Sequence, residues 1–141
     1  VMIAQRRRMA ELLTAADQPV YSYRFDQIPA GAGPWDGVRH FVNVAFSFQN
    51  ISGLLGPGGP SHAALARTIG TAYAHFVTDL DPNAAVAGEE EGRLPRWPRY
   101  SLDRPTNMVL NASRSWVEED TWRSEALTFI NSPEVTKELL G

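Results

Sequence analysis

The sequence predicts an α/β fold, and only part of one. Apolar residues recur at helical spacing in several segments, whereas β-rich runs are short and few. Amphipathic helix faces need a layer to cover them, and a thin strand content gives no sheet of its own. These elements are therefore expected to complete a larger sheet rather than to stand alone.

Met9, Leu12, Leu13 and Ala16 fall on one face of a first helix running to about Ala16, which the turn "DQP" ends. The run "VYSYRF", Val20 to Phe25, is rich in β-formers and reads as a strand. A Gly/Pro loop, "DQIPAGAGPWDGVRH", leads to His40. Val42, Val44, Phe46 and Phe48 alternate as a strand would, while Phe41, Ala45 and Phe48 share a helical face, so periodicity leaves 41–48 open. After the loop "ISGLLGPGGP", Ser61 is an expected N-cap for a helix from His62 to about Thr78. Its Leu65, Ile69, Ala72 and Phe76 form one stripe. Residues 83–100 read as irregular, with an acidic "GEEEG" loop, and "TNMVLNAS" reads as a short strand. A last long helix is expected from near Asp120 through Trp122 to Ile130. A short terminal helix then begins at Ser132 and Pro133.

With 141 residues, 43% hydrophobic and 21% charged, the composition is that of an ordinary globular domain. A net charge of −3 argues against a nucleic-acid footprint or a membrane-attracted basic surface. The basic cluster Arg6 to Arg8 lies in a helical pattern and reads as a solvated face. Without cysteine, the chain has no disulfide, no thiolate nucleophile and no Cys-based zinc site. Three scattered histidines lack metal-ligand spacing, and no apolar stretch approaches the ~18 residues of a spanning helix. The opening "VMIAQRRRMAELL" enters a helix without a cap, which is expected of the interior of a longer polypeptide exposed by cleavage. Two N-glycosylation sequons, at Asn50 and Asn111, favour a secreted protein.

Several landmarks occur in a suggestive order: a helix before "VYSYRF", the Gly-x-x-His loop "GVRH", and the aromatic stretch "AYAHFVTDLDPN". The element "WPRY" and the closing "SWVEEDTWRSEALTFI" come after them. Together they resemble the C-terminal portion of the type-B carboxylesterase/lipase family, which includes cholinesterases and fungal lipases, the latter being the nearer likeness. The resemblance covers essentially the whole chain. It implies the C-terminal part of a single α/β-hydrolase domain over 1–141, with a late core strand, a catalytic-His loop and C-terminal helices. No separate internal domain is expected, and an upstream segment completes the fold. The segment after His40 is then a short helix.

By that resemblance His40 stands where the family places the triad histidine. Imidazole titrates close enough to neutrality to take a serine proton and return it to the leaving alcohol. An acidic partner would orient the ring and stabilise its cation. No G-x-S-x-G turn and no HGGG-type segment occurs, so the nucleophile, the oxyanion donors and the triad acid are expected on a larger upstream chain of the same precursor. No cofactor is implied. Asn43 departs from the family, which usually carries an acid three residues after the histidine.

The remaining candidates have plainer readings. His62 is explained by solvation beside a helix start, and His75 by partial burial with a hydrogen bond. Asp120 and Arg123, three apart, read as a cap and an ion pair. The four tryptophans read as packing anchors, except that Trp35, in the His loop, is a substrate-pocket candidate. The expected function is the smaller chain of a serine ester hydrolase acting on small esters. A non-catalytic cholinesterase-like binding or adhesion module is the alternative, and a free-standing small α/β domain a third.

Overall fold

The computed structural model describes residues 2–33, 35–51, 58–83 and 94–140. The acidic "GEEEG" run and most of "ISGLLGPGGP" lie outside them. Elements run in the order α1 (Met2–Ala15), β1 (Tyr23–Phe25), α2 (Val42–Ser47), α3 (Pro60–Asp79), β2 (Thr106–Leu110), β3 (Trp116–Glu119), α4 (Ser124–Ile130) and α5 (Pro133–Leu140). They group into two compact units. The first comprises Val1–Ser22, Pro98–Asn107 and Glu118–Gly141, and the second Tyr23–Trp97 and Met108–Val117.

The sheet has three strands in the order β1-β2-β3, so β1 is an edge strand with one side unpaired among the described residues. β1 and β2 run parallel, with Tyr23 opposite Met108, Arg24 opposite Val109 and Phe25 opposite Leu110. All five β2 residues are buried, as expected of a strand covered on both faces. β1 is shorter than the run "VYSYRF" suggested, because only its last three residues pair.

In the second unit, the alternative left open at 41–48 resolves as helix. α2 buries Val42 and Phe46 and packs on α3, which buries Leu65, Ala66, Ile69 and Ala72. The α3 stripe thus matches its sequence periodicity, but the expected Ser61 cap does not form. The helix starts at Pro60 behind Gly59, and no side chain caps it, Pro60 supplying the preset φ instead. Leu80 closes the far end in a left-handed turn, its N–H donating to Phe76 O, and beyond it the Asn83 amide accepts from Trp97 N at 2.6 Å and donates to Trp97 O at 2.8 Å.

The first unit departs further from expectation. Instead of one long helix from Asp120, residues 116–119 form β3 with alternating burial, and α4 begins only at Ser124. Asp120 caps nothing and does not pair with Arg123. It is buried and accepts from both Nη atoms of Arg6 at 2.8 and 2.9 Å. It also accepts from Arg7 at 2.9 and 3.2 Å, from Asn107 at 3.0 Å and from the Tyr100 hydroxyl at 3.0 Å. Arg123 lies over the Trp122 ring instead, at 4.5 Å. The basic cluster is therefore not a solvated face, for Arg7 is buried. Burial pushes the Asp120 carboxyl up, yet the donors from Arg6, Arg7 and Asn107 together outweigh that and hold it well below the usual carboxylate range. Burial and the neighbouring Asp120 charge push the Tyr100 hydroxyl up.

Candidate active site

Because β1 and β2 are parallel, their carboxyl ends lie side by side, and both lead into loops of the second unit. Crevices outside such ends are where open α/β sheets bind ligands. An open cleft of about 690 Å³ occurs there, lined among others by Asp26, Gln27, Val38, His62, Asn111 and Ser113. That volume suits a small organic molecule.

Gln27 organises this cleft. Its Oε1 accepts from Ala112 N at 2.8 Å, which turns Nε2 toward Ile28 O at 2.7 Å and toward His62 Nε2 at 3.0 Å. The other ring nitrogen of His62, Nδ1, is buried with no hydrogen-bond partner among the described residues. His62 is thus a packed side chain, 5.9 Å ring to ring from Phe46, and not the solvated residue expected from sequence. Nothing in its flanking residues marks it, since Gln27 lies 35 residues upstream and Phe46 is likewise remote in sequence. His75 meets its expectation in part, its Nδ1 facing Asp79 at 3.6 Å.

His40 sits on the loop leaving β1, immediately before α2, and its side chain is exposed. Its nearest ring neighbour is Phe41 at 6.3 Å, and none of the described residues hydrogen-bonds to the imidazole. Phe41 holds a left-handed backbone, φ 77° and ψ −12°, at the entry to α2. For a residue with a β-carbon this costs on the order of 1–2 kcal/mol. Trp35 is 96% exposed and is not among the residues lining the cleft. The structure therefore brings Val38, two residues before His40, to the cleft, but brings no acid or nucleophile to His40 among the described residues.

The two sequons differ. Asn50 is exposed. Asn111 is half-buried, its Nδ2 donating to Asp26 O at 3.0 Å and its Oδ1 accepting from Ser113 N and Oγ at 2.9 and 2.7 Å.

A short edge strand feeding an exposed histidine loop, a helix, and a buried parallel neighbour define a carboxylesterase-like form of the α/β fold. A carboxylesterase of Geobacillus stearothermophilus, EST55 at pH 6.2, superposes with a TM-score of 0.65 at 30% identity, over 85% of this chain and 24% of that one. An esterase from the anaerobe Clostridium hathewayi that can hydrolyze aliphatic aromatic polyesters gives 0.68 at 24% identity, over 87% and 23%. A PNB esterase gives 0.60 at 24% identity, over 77% and 21%. The chain spans about a quarter of the length of these structures. No protein-family signature and no curated protein matches the sequence. No described helix is long and apolar enough to cross a membrane.

Proposed function

We propose that this chain supplies the general base, His40, to a serine carboxylic-ester hydrolase whose nucleophile, oxyanion donors and triad acid lie on an upstream segment of the same precursor. One observation carries the reading: in a carboxylesterase-like fold, an exposed imidazole without a described partner stands on the loop after the edge strand. The open side of β1 supports completion by further chain. So do the exposed Trp35, Phe41 and Phe48 around the His loop, since large apolar side chains this bare usually await a covering surface.

In the reaction, His40 takes the serine proton as the serine oxygen adds to the ester carbonyl. The imidazolium then returns that proton to the departing alcohol. A water molecule attacks the acyl-enzyme with the same base, releasing the acid and regenerating the serine. Trp35 would line the acyl or alcohol pocket once the upstream segment closes it. Glycans at Asn50 and Asn111 and a secreted location belong to the same reading. A mass loss on enzymatic deglycosylation tests them.

Labelling the purified protein with a fluorescent fluorophosphonate and resolving it on a denaturing gel tests the enzyme reading. A labelled companion band larger than this chain is expected, and His40→Ala should cut hydrolysis by about 10⁴-fold or more. An unlabelled companion would instead favour the binding module. A single band at the mass of this chain would overturn the reading.

A further inference from the structure

We infer that Asn43 is a positioning residue for His40, acting through the hydroxyls of Tyr23 and Tyr73. The inference rests on the reading of His40 as the general base, and it concerns how that base is held. His40 makes no described hydrogen bond of its own, so its place depends on the backbone that carries it. One residue later, Phe41 turns the chain through a left-handed conformation that its exposed side chain, 67% accessible, does nothing to hold. Such a turn persists only where the chain beyond it is fixed.

The chain beyond it is α2, six residues and less than two turns long, too short to be stable by itself. Beyond the burial of Val42 against the core, two contacts to β1 place it. Phe46 is 1% exposed and meets the Phe25 ring of β1 at 5.0 Å. At the other end, three residues after His40, Asn43 Nδ2 donates to Tyr23 Oη at 3.2 Å. The same Tyr23 oxygen accepts from Tyr73 Oη of α3 at 2.7 Å. Burial pushes the Tyr73 hydroxyl upward, and its bond to Tyr23 adds to this, so it keeps its proton and remains a donor at every working pH. The first turn of α2 is thereby tied at one oxygen to both β1 and α3, while Ser47 Oγ donates to Asn43 O at 3.0 Å and tightens the same turn. Phe46 fixes how deep the helix sits, and Asn43 fixes its rotation about its own axis. Rotation is what swings the Phe41 turn, and with it the imidazole.

Asn43 is a better tie here than alanine or leucine would be, because a neutral amide donates without placing a charge beside a base. An aspartate could make the same tie by accepting the Tyr23 proton, but would add a negative charge three residues from His40. The pair Asn43→Ala and Asn43→Asp therefore separates the link from the charge.

The test uses the complete enzyme, this chain with its nucleophile-bearing segment, and p-nitrophenyl acetate. Asn43→Ala is expected to lower kcat by about 10- to 100-fold, the scale of a small misplacement of a catalytic group, with KM within about twofold. Tyr23→Phe should give a loss of similar size, and the double variant little more than either. Asn43→Asp should recover most of kcat and move the acid limb of the kcat profile to higher pH. Unchanged kcat in Asn43→Ala, or a joint fall in kcat and melting temperature that the aspartate variant does not reverse, overturns the inference. A second readout needs no catalysis: the His40 ring signals in NMR should broaden in Asn43→Ala as the loop loosens and sharpen again in Asn43→Asp, displaced there only by the added charge. If His40→Ala stays active, the general-base reading fails, and the ring signals still decide whether Asn43 positions the loop. Unchanged signals sink it.

Discussion

α1 and α3 are both amphipathic by sequence, and they settle in opposite ways. α3 turns its apolar stripe inward, burying Leu65, Ile69 and Ala72. In α1 the residues buried are Ala4, Arg7 and Ala10, while Met2, Met9 and Leu12 stand 52–63% exposed. The polarity of α1 is inverted: small residues and a guanidinium face in, methionines and leucines face out. Helical periodicity says that a helix has two faces, but which face is buried depends on what the rest of the chain offers. For α3 the offer is an apolar surface. For α1 it is a buried carboxylate.

That contrast can be broken at either helix. Asp120→Ala strands two guanidinium groups and should cost about 3–5 kcal/mol in denaturant unfolding, the largest effect of the set. A smaller cost than that of an ordinary core truncation would mean that α1 is not held by charge. Ile69→Ala, in the core under α3, should cost about 3 kcal/mol through the cavity it leaves, with no dependence on salt or pH.

pH sharpens the distinction. The folded-state pKa of Asp120 is depressed, so the stability it contributes is present above about pH 4, the unfolded carboxyl range, and is lost as acid protonates it. Tyr100 is shifted upward, so its contribution is present below about pH 10 and is lost beyond that. Melting temperatures measured across pH should therefore fall at both ends, and Asp120→Asn should flatten the acid side. Smallest of all, Leu12→Gln on the outward face of α1 should change the stability of this chain by no more than about 0.5 kcal/mol. A cost comparable to Ile69→Ala would show that the outward face is covered, as it would be under the proposed completion by an upstream segment.

Much of the second unit was legible from sequence. The α3 stripe, the "TNMVLNAS" strand and the place of His40 before a short helix all come from local pattern or from the order of landmarks. The features that escaped share a physical cause. β3 was hidden because "SWVEED" and then "TWRSEAL" offer polar residues that suit a helix start as well as a strand rim, and only pairing with β2 decides between them. Arg7, Asp120 and Asn107 look like surface residues one at a time, and become core only as a set. His62 likewise gains its role from Gln27 and Phe46. For the candidate site the sequence offers His40 as an expectation, whereas the Asn43–Tyr23–Tyr73 link needs the three-dimensional meeting of two tyrosines from different elements.

The grip on α1 also has a temporal side. Arg7 and Asp120 are 113 positions apart, so bringing them together forfeits about 4 kcal/mol of chain entropy before any bond forms. At ribosomal rates of about 5–20 residues per second, some 6–23 s separate the making of the two ends. Throughout that interval α1 carries Arg6 and Arg7 without this counter-ion. The carboxylate therefore acts as a late lock rather than a nucleus, and weakening it should speed unfolding while leaving the folding rate nearly unchanged.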